Sequence, residues 1–279
     1  MSEERIADEG GLNIFFRSWR PAGPLRGALV IVPGFNSHSG YYSEVAQALT
    51  GEGLVVYAID LRGRGQSDGE RFYVDKFGDY VSDVATGVTL AKSRAPGLPV
   101  FLLGHSAGGV AACLYALDHP GELSGLISES FAFETPAPDF ALAVLKGISH
   151  LAPHAHVLRL KNEHFSRDSA VVQAMNADPL IAHETQPTKT VAELVRADER
   201  LKAGFSHLTL PLLILHGTAD KAAKASGSQL FFDKAGATDK TLKLYEGRFH
   251  DLLNDLGKEE VIAEIASWIA ARLSASEVS

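Results

Sequence analysis

The chain has 279 residues, 46% hydrophobic and 22% charged, enough apolar content for a sizeable core and a length that α/β folds often reach as one domain. Its net charge of −8 comes without any basic run or stripe, which argues against a nucleic-acid partner, and the lone Cys113 excludes an intrachain disulfide. Residues 1–9 are acidic and lack an apolar export signal, and no apolar run is long enough to span a bilayer, so a cytoplasmic location is expected.

In chain order, short apolar runs predict strands at 13–19, 28–32 and 55–60, with a helix at 42–49. The glycine-rich stretch from Arg62 to Gly69 lacks the lysine and the helix start of a phosphate-binding loop and reads as a structural turn. A helix is expected at 80–94, a strand at 100–104, a helix from Val110 to Leu117 and a strand at 126–130. Residues 134–207 then break the alternation: they read as mainly helical, punctuated by Pro136, Pro138, Pro153, Pro179 and Pro187. Strands at 212–216 and 241–245 follow. A last helix at 259–273 carries Val261, Ile265, Trp268, Ile269 and Leu273 at three-and-four spacing. Alternating strands and helices predict a mostly parallel sheet with helices on both faces, its first one or two strands antiparallel. The organisation expected is a core in two parts, 1–133 and 208–279, with 134–207 inserted as a cap over the carboxyl ends of the strands.

Chemistry enters at Val100-Phe-Leu-Leu-Gly-His-Ser-Ala-Gly-Gly109, where an apolar strand runs into Gly-x-Ser-x-Gly and then into a helix. That context presents a serine on a strained turn, with its hydroxyl in the open at the amino end of a helix that favours a developing anion. A serine nucleophile needs a base, and the base an orienting acid. The strand at 212–216 is followed by Asp220, and the strand at 241–245 by His250. Ser106, Asp220 and His250 therefore appear in the chain order of the α/β-hydrolase triad. Glu129 and Glu134, after the apolar run Leu123 to Ile127, are rival acids. Of eleven histidines, His119, His150, His154, His156, His183 and His207 fall at helix ends or in the insertion and read as solvated, whereas His105 and His216 adjoin the site and are expected to support it.

The chain resembles the monoacylglycerol lipase and lysophospholipase branch of the α/β-hydrolases, the serine aminopeptidase-like hydrolases. The resemblance covers nearly everything after the first dozen residues. Besides the elbow it rests on Gly34 with Ser37-His-Ser-Gly-Tyr-Tyr42, on Asp60-Leu-Arg-Gly-Arg-Gly-Gln-Ser-Asp-Gly69, and on Phe165-Ser-Arg-Asp168 with Asn176-Ala-Asp-Pro-Leu180. The loops His216-Gly-Thr-Ala-Asp220 and Leu244-Tyr-Glu-Gly-Arg-Phe-His250 complete it.

The resemblance implies a cofactor-free serine hydrolase acting on carboxylic esters through an acyl-enzyme, with Ser106 as nucleophile, His250 as base and Asp220 as its orienting acid. It also implies an oxyanion hole built from the backbone N–H groups of Phe35 and Ala107. Asn36, His105 and Met175 are the candidates for the substrate pocket. No metal is implied, since His105 and His216 lack a third ligand at metal spacing. The family commonly has His-Gly where this chain has Pro33-Gly34, and Gly-His-Gly where it has Gly63-Arg64-Gly65. Members that read a glycerol head group usually carry Glu, Arg and Tyr where this chain has Ser37, Tyr41 and Met175, so weak reading of glycerol is expected. The partner expected is a small ester with an apolar acyl chain. Phe140, Val144, Ile148 and Leu151 recur at helical spacing, as in a helix packed on the body or an apolar lid that lines an acyl channel or rests on a lipid surface. The same triad could act on a lactone, carbamate or amide, or transfer the acyl group to an alcohol, and the fold without catalysis could serve as a receptor or scaffold.

Overall fold

The computed structural model describes residues 1–133 and 139–276, the side chains at 139–143 and 274–276 excepted; Glu134 and the side chain of Phe140 lie outside the described residues. In chain order the elements are β1 (Ser2–Ala7), β2 (Asn13–Trp19), β3 (Gly27–Val32), α1 (Ser43–Thr50), β4 (Leu54–Asp60), α2 (Phe77–Arg94), β5 (Val100–His105), α3 (Ala107–Asp118) and β6 (Gly125–Glu129). The insertion brings α4 (Asp139–Leu151), β7 (His156–Leu158), α5 (Ser169–Ala177), β8 (Gln186–Pro187) and α6 (Thr188–Gly204). The chain then returns to the core with β9 (Leu212–Gly217), α7 (Ala225–Lys234), β10 (Lys240–Tyr245) and α8 (Lys258–Ser276).

Among the described residues the main sheet has eight strands in the order β1-β2-β4-β3-β5-β6-β9-β10. β1 pairs antiparallel with β2, and β2 with β4; every later pairing is parallel. Strands buried on both faces read as continuous apolar runs, and here alternate residues diverge to opposite cores. Ala28, Val30 and Val32 of β3 pack with Val84 and Val88 of α2 and Val110 and Leu114 of α3. Leu29 and Ile31 point the other way, toward Val45 and Leu49 of α1 and Val261, Ile265 and Trp268 of α8. Helices thus cover both faces, and the mostly parallel α/β-hydrolase sheet expected from the sequence is present.

Three elements carried no readable signal. β1 is an edge strand of sequence SEERIA, largely exposed, held by its ladder to β2 rather than by an apolar face. A two-residue β8 pairing with β7 in the insertion is too short to leave a period, and α7 has a mixed sequence whose buried residues are Gly227, Ser228 and Phe231. The insertion is otherwise helical, and α6 lays Val191, Leu194, Val195 and Leu201 inward, packing on α3 and α4. The insertion follows β6 at its carboxyl end, the end where β5 delivers Ser106.

Candidate active site

β5 turns into α3 through Ser106, which sits at φ 54° and ψ −122°. Such a conformation persists in a non-glycine residue only when its surroundings hold it. They do so by contact: a Cβ on Gly104 would come within 2.6 Å of Gly108 O, and one on Gly108 within 2.3 Å of Val32 O. Strand and helix can approach this closely only with glycine at both positions. The turn is further tied to β6, since Ser106 N donates to Glu129 O at 2.9 Å.

β9 and β10 lie side by side, so the loops after them meet. Thr218 N donates to Tyr245 O at 2.9 Å, Ala219 N to Arg248 O at 3.0 Å, and Gly247 N to Thr218 Oγ1 at 2.8 Å. This stitching brings Asp220 Oδ2 to 2.7 Å from His250 Nδ1 and His250 Nε2 to 2.9 Å from Ser106 Oγ. Asp220 Oδ1 is held separately, accepting from Ala222 N at 2.7 Å and Ala223 N at 3.0 Å. His216 Nε2 lies 3.0 Å from Asp220 Oδ2, while its Nδ1 faces Ser228 Oγ at 2.7 Å. Burial alone would raise the Asp220 pKa, but the His250 and His216 imidazoles outweigh it and hold this carboxyl far below the usual carboxylate range. The edge of Phe165, from the insertion, packs against the His250 ring at 5.0 Å, and Asp251 N donates to Phe165 O at 2.8 Å.

The turn after β3 runs beside the serine: a Cβ on Gly34 would fall 2.7 Å from Ser106 Cβ. Phe35, next in sequence, is 3% exposed. Ala107 opens α3, where a first-turn N–H has no intrahelical carbonyl to bond. Of the two residues expected to supply the oxyanion hole, Ala107 thus directly follows Ser106 in the chain and Phe35 directly follows the glycine packed on it.

His105, expected in the pocket, is instead fully buried behind the elbow with Nδ1 paired to the Glu129 carboxylate. Burial opposes a charged imidazole, yet Glu129 outweighs it and lifts the His105 pKa to about 9. Glu129 also accepts from Ser130 Oγ at 2.7 Å and from Leu252 N at 3.0 Å, which joins the elbow to the histidine loop. Carboxylates thus do cluster near the site: ligand atoms of His105, Glu129 and Asp251 lie within 4.8 Å of one another, close enough to hold a metal ion. Within this group Glu129 is engaged as above and Asp251 accepts from Asn254 Nδ2 at 3.0 and 3.1 Å, while the buried His105 Nε2 has no hydrogen-bond partner.

Asn36 and Met175 line a cavity of about 690 Å³ together with Leu160, Asn162, Asn176 and Ile181; Ser106, Asp220 and His250 are not among its lining residues. Asn36 Nδ2 donates to Asn162 Oδ1 at 2.9 Å, and Asn162 Nδ2 to Asn176 Oδ1 at 2.9 Å, leaving the buried Asn36 Oδ1 without a partner. Tyr41 donates its hydroxyl to Asp178 at 2.7 Å, and the same carboxylate oxygen lies 2.8 Å from His38 Nε2. The Asp178 contacts were hidden in the sequence, although Asp178 lies within one of the resembling motifs. Asn162 had no signal at all.

A mostly parallel sheet whose strand ends bring a serine, an imidazole and a carboxylate into one hydrogen-bonded series, under a helical insertion, defines an α/β-hydrolase. The chain belongs to the serine aminopeptidase S33 (Hydrolase_4) family, whose pattern matches residues 23–257. It is 34% identical over 274 residues to a monoacylglycerol lipase of Mycolicibacterium smegmatis, with 98% of each chain covered. It is 35% identical over 272 residues to human monoglyceride lipase, covering 96% of this chain and 90% of the relative. The crystal structure of Paleococcus ferrophilus monoacylglycerol lipase superposes with a TM-score of 0.83 at 28% identity, over 93% of this chain and 99% of that one. The protein is a serine ester hydrolase of the monoacylglycerol lipase type.

Proposed function

We propose that Ser106, His250 and Asp220 hydrolyse esters of apolar acyl chains with small alcohols, monoacylglycerols among them. The observation that carries this is the continuous series from Ser106 Oγ, 2.9 Å to His250 Nε2, and from His250 Nδ1, 2.7 Å to Asp220. His250 Nε2 takes the hydroxyl proton as Ser106 Oγ attacks the acyl carbon, and Asp220 holds the proton on Nδ1 and offsets the imidazolium charge. The backbone N–H groups of Phe35 and Ala107 receive the oxyanion. As the intermediate collapses, the alcohol departs with the proton from His250. A water then repeats the sequence on the acyl-enzyme, releasing the acid and restoring the serine.

The alcohol lies on the Asn36 side. Tyr41 is engaged with Asp178 and Met175 offers no hydrogen bond, so Asn36 Oδ1 is the acceptor that meets a leaving-group hydroxyl. We take 134–207 as the cap between core parts 1–133 and 208–279. Its apolar face favours contact with a lipid surface: Val144, Ile148, Leu151 and Val157 are 56%, 44%, 88% and 50% exposed. No helix among the described residues is long and apolar enough to cross a membrane.

The test is Ser106→Ala. Turnover of a medium-chain monoacylglycerol should fall by roughly 10⁴–10⁶ with the melting temperature little changed, since the hydroxyl contributes chemistry rather than packing. A fluorophosphonate should label the wild type and not the variant. Retention of more than about a tenth of the activity would remove Ser106 from the mechanism. Leu151→Glu should weaken sedimentation with phosphatidylcholine vesicles and leave hydrolysis of a soluble aryl ester unchanged.

A further inference from the structure

The substitution of arginine into the Gly63-Arg64-Gly65 turn has a structural counterpart. Arg64 is 2% exposed, and each part of its guanidinium is engaged. Nε donates to the Tyr80 hydroxyl at 3.2 Å, Nη2 to Gln186 Oε1 at 2.8 Å, and Nη1 to the Glu184 carboxylate. Its Cζ lies 4.0 Å from the centroid of the Phe35 ring. Glu184 and Gln186 belong to the insertion, are 3% and 1% exposed, and bond to each other, Gln186 Nε2 donating to Glu184 Oε1 at 2.6 Å. Burial disfavours the charged guanidinium, but Tyr80 and Glu184 outweigh it and keep Arg64 protonated.

A buried ion pair is a poor device for stability alone, because desolvation cancels much of the attraction. What a planar, fully hydrogen-bonded guanidinium supplies well is position. The element it positions is the turn after β3, where Phe35 and Asn36 are held by no ladder and Asn36 has the left-handed φ of 50°. On one side of that turn Asn36 Nδ2 donates to Asn162 of the insertion. On the other, the Phe35 ring lies against Arg64, itself clamped by Glu184 and Gln186. We infer that Arg64 is a positioning residue that transmits the seating of the cap's 184–186 segment to the oxyanion loop through the ring of Phe35. This rests on the proposed role of the Phe35 N–H. Displacement of a preorganised donor by a fraction of an ångström weakens transition-state stabilisation while leaving ground-state binding largely intact.

Arg64→Met keeps the volume and removes the fork. It should lower kcat by roughly 10- to 100-fold with KM within about threefold, and weaken an alkylboronic acid, which forms a tetrahedral adduct on serine, by a similar factor. Binding of a fatty-acid product should be unchanged. In a Phe35→Leu background the same Arg64→Met change should cost less than about threefold, because the ring through which it acts is gone. If Arg64→Met does not fold, Glu184→Gln, which removes only the charge partner, is measured instead and should lower kcat and boronate affinity together. Folded variants with wild-type kcat, a loss of kcat without loss of boronate affinity, or full additivity with Phe35→Leu would each overturn the inference. A wild type that forms neither the boronate nor the fluorophosphonate adduct would instead overturn the underlying serine mechanism.

Discussion

Asp220→Asn replaces one oxygen by an NH₂ group, and the structure dictates which one. The backbone N–H groups of Ala222 and Ala223 point at Oδ1, at 2.7 and 3.0 Å, so the amide oxygen must stay there. The NH₂ group then takes the Oδ2 position, 2.7 Å from His250 Nδ1. A donor at that place forces Nδ1 to accept, which moves the imidazole proton to Nε2, where it faces Ser106 Oγ at 2.9 Å and cannot take the serine proton. The imidazolium formed during attack also loses its counter-charge. Wrong-tautomer substitutions in such triads cost about 10⁴ in kcat, roughly 5.5 kcal/mol. Little of the fold should suffer, because both backbone donors keep their acceptor. The assay is kcat/KM on a chromogenic medium-chain ester at pH 7.5, with circular dichroism and a melting curve as controls. A folded Asp220→Asn enzyme losing less than tenfold would refute the reasoning and return Glu129 to consideration as the acid.

Three further outcomes follow from the same geometry. Asp220 is held ionised far below the usual carboxylate range, so its protonation should cost no kcat/KM above pH 5; an aspartate titrating above pH 5 by carboxyl NMR in the wild type and absent from Asp220→Asn would contradict the assignment. Glu129→Gln should leave kcat within about tenfold but change the pH dependence of stability. His105 has its pKa raised from 6.5 to about 9, so its ion pair stabilises fully below about pH 6.5 and is lost as pH rises through about 9. Between those limits the melting temperature of the wild type should fall more steeply than that of Glu129→Gln; parallel curves would contradict the pairing. Finally, one acceptor at Asn36 discriminates weakly, so a monoacylglycerol and the methyl ester of the same acid should differ by less than roughly tenfold in kcat/KM, about 1.4 kcal/mol. A preference above a hundredfold would mean that other groups read the glycerol.

The parts of this protein legible in its sequence are those with short-range causes. A strand–turn–helix with Gly104 and Gly108 around Ser106 is a local steric solution, and its signature lies within ten consecutive residues. The central strands are buried on both faces and so announce themselves as apolar runs, and α8 repeats its apolar residues with the period of a helix. β1 had no such mark, since its pairing is a backbone ladder with β2.

Asp220 and Glu129 looked alike in sequence, each an acid just past a buried strand. Only the sheet order separates them: β10 beside β9 carries the His250 loop onto Asp220, while β6 beside β5 turns Glu129 toward His105. His105 stands next to the nucleophile in the chain, yet the elbow directs it into the core, away from the pocket. Arg64 could be noticed as a departure but not explained, because Phe35, Tyr80 and the pair Glu184 and Gln186 are brought to it by three separate segments. Turns and periodic elements are written in neighbouring residues; charge partners and the direction of a buried side chain depend on which distant segments the sheet and its insertion bring together.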